Sequence, residues 1–333
     1  MKYGMRVGYV SKLNNRETIK AINEIKNYLY SELKSKYNLV EFQAALATDK
    51  NLWLNDDFRL SERPVDFDAQ TSQGFGEMLI SANKWRRYFL YQNEFEKGEG
   101  VINTFSCIRR NAELSRIKSL TYNEIGFELI ESNYDIEVVQ DIQIEIYKIF
   151  KKIDSLINLE YSNLNGEHFT KTLSFVTYSK LRKLYPFLNY REMLNRFGRE
   201  NGSFVLTNFV KKTINSSDAT QYSNDVFDFE TLTKLYIYNK EIEESVSVSY
   251  CGFQVEKKAL KDQNLISKEE RKINTLYNHL IKVDKLPQTI SCGVYIDKLT
   301  MLILEKSHIA EVHSSLWDDD FIEYCEKNEI KIF

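Results

Sequence analysis

Apolar positions along the chain fall into an uneven succession of helical and extended patterns. Over 14–36, Ile19, Ile22, Ile25, Leu29 and Leu33 recur at three- and four-residue steps while Lys and Glu fill the other face, which predicts an amphipathic helix. Leu39, Val40, Glu41, Phe42 and Gln43 alternate as a half-buried strand does. Residues 48–76 are polar, weakly periodic and broken by Pro64 and Gly74, so a long surface excursion is expected there. A helix over 84–90 and a turn at Gly98, Glu99 and Gly100 lead to strands over 101–109 and 124–131. The clearest helix covers 136–158, with Val138, Ile142, Ile146, Ile149, Ile153 and Leu156 on one stripe. A strand over 172–177, a helix over 189–199 and a strand over 203–207 follow, the last after the break at Gly202. The back half predicts paired strands at 235–238 and 246–250, a helix over 268–283, a buried strand over 289–296 and a helix over 298–305. Strands flanked by helices without a regular βαβ beat favour an α+β fold on an antiparallel sheet. With no linker-like composition and no internal repeat, a single domain over 1–333 is expected.

Composition narrows the function. Lys+Arg 45 against Asp+Glu 48 leaves a net charge of −3, without the basic surplus of a dedicated nucleic-acid binder. Aromatics at 13%, with only 3 Pro and 12 Gly, exclude disordered, collagenous and linker-dominated classes. No apolar run reaches the roughly 18 residues of a membrane span, and Met1 to Arg6 lacks the apolar core of a secretory signal; a cytoplasmic protein without membrane or nucleic-acid partners is expected. Cys107, Cys251, Cys292 and Cys325 are far apart, with no C-x-x-C pair and no His at zinc-ligand spacing. They read as reduced thiols packed as small hydrophobes, and no metal site is expected. Lys151, Lys152, Lys257 and Lys258 read as solvated helix faces, and Asp318, Asp319 and Asp320 as a helix start. His168, His279, His308 and His313 stand in no catalytic spacing.

Several segments, in collinear order, resemble ammonia-dependent asparagine synthetase A, the aspartate–ammonia ligase family. They are 39–44, Lys84 and Trp85 with 98–100, 287–290, 299–301 and the stretch from His308 to Trp317. The resemblance covers about residues 8 to 320 and implies a class II aminoacyl-tRNA synthetase-like fold, an antiparallel sheet flanked by helices. It also implies a homodimer that joins aspartate and ammonia with ATP through an aspartyl-adenylate, releasing AMP and pyrophosphate. The helix over 14–36 with the strand after it resembles the family's subunit-contact motif. There is no spare length for an anticodon-binding module, so a tRNA ligase is not expected.

The chemistry needs a carboxylate oxygen turned into a leaving group, and a fixed guanidinium suits the α-phosphate because it is always charged and binds two oxygens at once. By resemblance, Arg109 is that arginine and Asp56, with Asp57 beside it, the acid at the amino-acid site; these two are the catalytic candidates. Ser81, Lys84 and Arg86 fall on the substrate side, Arg86 in place of a family lysine. Glu124 and Gly126 are the counterparts of a glutamine and an aspartate that hold the amino acid, and Asp225 and Asp228 are the remaining acids of a further segment. On the nucleotide side, the two acids that hold Mg²⁺ in this class are matched by Lys234 and Ser247. The arginine over the adenine is matched by Lys298, and a strand glycine by Tyr295. ATP remains the expected nucleotide, but magnesium loses its acidic ligands. The exchange shifts local charge three units toward positive, so a lysine could meet a phosphate directly. Two functions follow: an amide ligase acting on aspartate or a related acid with ammonia, or a catalytically degenerate paralogue that binds a ligand or partner.

Overall fold

The computed structural model describes residues 5, 8–56, 58, 61–70, 74–209, 222–267 and 275–333. Helix α1 (Asn15–Lys36) opens on a capping box, in which Asn14 accepts from the Glu17 amide and Glu17 reaches back to Asn14. It leads to the two-residue strand β1 (Val40–Glu41). The stretch expected to be an excursion instead holds β2 (Ala47–Asp49), β3 (Asp66–Ala69) and β4 (Gly74–Met78), paired as a separate three-stranded sheet in the order β2-β4-β3. Its polar sequence hid it because β3 is largely exposed and no residue of either outer strand is fully buried, so no apolar alternation was needed.

Next come α2 (Asn83–Gln92), β5 (Gly100–Ile108), β6 (Thr121–Ile130), α3 (Ile136–Glu160), β7 (Ser174–Thr177), α4 (Tyr178–Leu184), α5 (Tyr190–Asn201) and β8 (Ser203–Thr207). The chain continues through β9 (Thr233–Asn239), β10 (Glu244–Phe253), α6 (Lys257–Ser267), α7 (Leu276–Lys282), β11 (Thr289–Tyr295), α8 (Ile296–Ile303) and α9 (Asp319–Lys327). Asp318 caps α9 by accepting from the Phe321 amide, as its acidic run suggested. The helix expected over 268–283 lies outside the described residues in its first half, and α7 forms its second.

The main sheet has eight strands in the order β1-β5-β6-β11-β10-β9-β8-β7; its centre is antiparallel and its two edge strands pair parallel. One face is sealed by α1, α3 and α8, whose Ile25, Leu29, Ile146, Phe150 and Leu299 pack with Phe127, Leu235, Val248 and Cys292 of the sheet. Cys251 and Cys292 stand directly opposite each other across β10 and β11 and are joined as a disulfide. That corrects the expectation of four free thiols: sequence separation of 41 residues concealed a neighbouring pair. Cys107 and Cys325 are free and buried.

The other face carries polar groups. In register, Asn103, Gly126, Gly293, Tyr250, Lys234 and Leu206 stand side by side from β5 to β8. A β-bulge between Ser247 and Ser249 decides this row. Val246 and Val248 belong to the core beneath α3, and simple alternation would send Tyr250 there too. The bulge inserts one residue, so Cys251 and Phe253 take the core positions and Tyr250 turns to the polar face.

Candidate active site

Helix α2 lies against the polar face and delivers two cations to it. Arg87 fastens the helix by donating to the carbonyl oxygens of Pro287 and Val255, both at 2.8 Å. Arg86, fully buried, donates to Glu124 Oε1 at 2.9 Å, Asn103 Oδ1 at 3.1 Å and Asn83 Oδ1 at 3.3 Å. The other Glu124 oxygen accepts from the Tyr250 hydroxyl at 3.0 Å, and that hydroxyl also lies 2.7 Å from Asn83 Oδ1. Two glycines make room for this cluster. A Cβ at Gly126 would run into the Arg86 guanidinium, and one at Gly293 would meet the Tyr250 ring.

Lys84 points into a second cluster, where its ammonium donates to Asp225 Oδ2 at 2.7 Å. Asn278 of α7 donates to the same oxygen at 3.1 Å. Asp56, fully buried, accepts at Oδ1 from the backbone amides of Phe58 at 2.8 Å and Ser223 at 3.1 Å. Asp56 Oδ2 and Asp225 Oδ1 are buried without a hydrogen-bond partner. Burial pushes the Asp56 carboxyl up to about 6, against the pull of the nearby Lys84 charge. Asp57 lies outside the described residues. Ser81 is buried at the entry to α2, and Asp228 turns away to accept from Tyr134 and the Glu230 amide.

The third cluster gathers cations. Arg109, just past β5, has its guanidinium 4.0 Å from the Phe58 ring centroid and 4.7 Å from that of Tyr122, and donates to the Tyr122 hydroxyl at 3.3 Å. Its Nε is buried with no hydrogen-bond partner. Lys234 lies over Tyr222 and Phe209, and Lys298, in the first turn of α8, over Tyr295. Burial and the Arg109 charge push the Lys234 ammonium down to about 8. Burial, then Lys118, Arg109 and Lys234, push Lys298 down to about 7. Ser247 is half-buried on β10 opposite Tyr236. Among the described residues no group of three or more His, Cys, Asp and Glu side chains could hold a metal ion, and the groups gathered here are the Arg109 guanidinium and the Lys234 and Lys298 ammoniums. A magnesium ion does not fit this donor set.

Thus Asp56 and Lys84 share one cluster and Arg86 and Glu124 the next, while Arg109, Lys234 and Lys298 form a third; Ser81 makes no hydrogen bond to them. Sequence reasoning missed Asn83, Asn103, Tyr250 and Asn278. Asn83 could have been suspected from its place beside Lys84; the others needed the strand register and the bulge.

Below the clusters lies Glu128, fully buried, accepting from Gln254 at 2.8 Å through Oε1 and holding no hydrogen bond at Oε2. Burial pushes its carboxyl up to about 7 from an ordinary 4.5. A raised carboxyl binds its proton more tightly folded than unfolded, so its contribution to stability falls as pH rises through that window. Glu128→Gln removes the term. In urea unfolding the variant should exceed the parent by about 1–3 kcal/mol at pH 8, and the gain should vanish near pH 5.

An eight-stranded sheet with this strand order and one polar face is the architecture of the class II aminoacyl-tRNA synthetase catalytic domain. Asparaginyl-tRNA synthetase from Pyrococcus horikoshii, complexed with asparaginyl-adenylate, superposes with a TM-score of 0.66 at 10% identity, over 91% of this chain and 70% of that one. The Entamoeba histolytica asparaginyl-tRNA synthetase gives 0.62 at 12% identity, over 90% and 66%. A family profile described as aspartate-ammonia ligase matches residues 16–329. An aspartate–ammonia ligase of Clostridium perfringens is 30% identical over 98% of this chain and 97% of its own length, and one from Bacillus mycoides 29% identical over 98% and 100%. The chain belongs to the aspartate–ammonia ligase family. No helix among the described residues is long and apolar enough to cross a membrane.

Proposed function

We propose that this protein is a cytosolic, ATP-dependent amide ligase that activates a small carboxylic acid as an acyl-adenylate and passes it to ammonia. In the first step a carboxylate oxygen bonds to the α-phosphorus and pyrophosphate leaves. In the second, the ammonia nitrogen bonds to the acyl carbon, AMP leaves, and the nitrogen sheds a proton. Arg109 carries the reading: a guanidinium clamped between Phe58 and Tyr122, with Nε unsatisfied, is a preorganised partner for a phosphate whose charge grows during transfer. Asp56 and Asp225 each keep a buried oxygen without a hydrogen-bond partner and offer a substrate ammonium two acceptors, while Lys84 is held by Asp225. Arg86 is already neutralised by Glu124, so a second carboxylate on the substrate meets no free cation there. We read the substrate as an acid other than aspartate held in the family's manner. The test is acid-dependent release of pyrophosphate and AMP from ATP in ammonium buffer; ATP binding without any acid-dependent release sinks it.

The second reading, a degenerate paralogue that binds without turnover, is favoured by the same neutralisation: Arg86 with Glu124 and Lys84 with Asp225 satisfy each other. It differs in predicting no release with any acid.

We also read the protein as a homodimer. Val40 and Phe42, after α1, expose about half of their surface at the short sheet edge, an apolar patch of the kind interfaces cover. Sedimentation equilibrium should return twice 39.3 kDa; a single-chain mass at micromolar concentration contradicts the dimer.

A further inference from the structure

We propose that the cluster of Arg109, Lys234 and Lys298 binds an oligophosphate directly, with no divalent cation between ligand and protein. The proposal rests on the nucleotide end of the reading above, but not on turnover. The three cations come from separate elements: the end of β5, the middle of β9 and the first turn of α8. Each sits on an aromatic ring, and the rings form one continuous wall. Phe58 and Tyr222 are 5.8 Å apart, the Tyr222 and Tyr295 hydroxyls 3.3 Å, and the Tyr295 and Tyr122 rings 6.1 Å. Such a wall fixes the cations and excludes water, which strengthens their field.

None of the three has an acidic ion-pair partner among the described residues. Asp297, the neighbour of Lys298, spends its oxygens on the Asn123 amide at 2.7 Å and the Asn123 side chain at 3.0 Å, and faces His313. The Arg109 Nε is a buried donor with nothing to donate to. Like charges held together without a directly paired acid are costly, and burial with their mutual repulsion weakens the lysines' hold on their protons, offset only in part by Asp297 at Lys298. An anion of high charge density relieves all three at once. A magnesium ion would bring two positive charges to a site that already carries up to three, and would also lower the charge of the phosphates. The metal-free form of the ligand therefore suits the site better.

Nucleoside triphosphate and free pyrophosphate share this chemistry, and calorimetry with ATP, AMP and pyrophosphate, each in EDTA and again with excess Mg²⁺, separates them. ATP in EDTA should bind at least about tenfold more tightly than with Mg²⁺. Pyrophosphate matching ATP means the cluster reads phosphates alone; ATP binding more tightly adds a base contact, and AMP should be weakest in either case. Lys234→Met and Lys298→Met should each weaken ATP in EDTA by about 10–100-fold with thermal melting unchanged. Should a variant unfold, the parent's affinity must still fall steeply with added KCl. Binding that requires Mg²⁺, no binding of ATP or pyrophosphate in EDTA, or variants that fold and bind like the parent overturn the proposal. A chain that binds in EDTA yet releases no pyrophosphate keeps this inference and loses the ligase reading. One that turns over only with Mg²⁺ and binds nothing in EDTA does the reverse.

Discussion

Arg86→Met should cost about 3–5 kcal/mol of folding stability, among the largest single-residue effects in the molecule. The loss arises from what stays behind more than from the contact removed. Glu124 would remain buried, still bonded to Tyr250 but without its counter-charge, and Asn103 and Asn83 would each lose a donor. Gly126 would face a gap where the guanidinium had filled its missing Cβ. Urea unfolding at pH 7 measures the cost. The double variant Arg86→Met with Glu124→Gln should recover roughly 1–3 kcal/mol of it, because the uncompensated charge is then gone. A single variant within about 1 kcal/mol of the parent would mean that the cluster is loosely packed or wet.

Arg109→Ala should lower pyrophosphate release by about 10²–10³-fold, the scale on which one preorganised donor to a transition-state charge is worth. Folding stability should change little, since the guanidinium rests on two ring faces and makes one long hydrogen bond at 3.3 Å. Arg109→Lys keeps the charge and loses the planar fork, so its activity should lie between the two. Equal losses for Ala and Lys would assign the role to geometry, whereas full activity in Lys would assign it to charge alone. Retained release in Arg109→Ala would remove Arg109 from the chemistry.

Much of the scaffold was legible because its elements bury one face and expose the other. Helices α1 and α3 bury most of the stripes read from the sequence, although Ile19 and Leu156, placed on those stripes, stand about half exposed, and Gly202 marks the entry to β8 at the residue expected. The small sheet was not legible, since its outer strands bury no residue fully and so need no alternation. The site was legible in its cations and only partly in its arrangement. A pattern in sequence shows that Lys84, Arg86 and Glu124 are present, but which carboxylate neutralises which cation depends on where α2 crosses the sheet. Tyr250 shows the limit most sharply: one bulge residue moves its ring from the core beneath α3 to the floor of the site. The disulfide was hidden for the same reason, because register alone brings Cys251 and Cys292 together.

The ligase reading is tested most directly by counting the products of ATP. With ammonium and a panel of small carboxylic acids, in EDTA and in Mg²⁺, AMP and pyrophosphate should appear in equal amounts with one acid and not without it, and be lost in Arg109→Ala. ADP and orthophosphate as products, or no acid-dependent release from a protein that binds ATP, would contradict it.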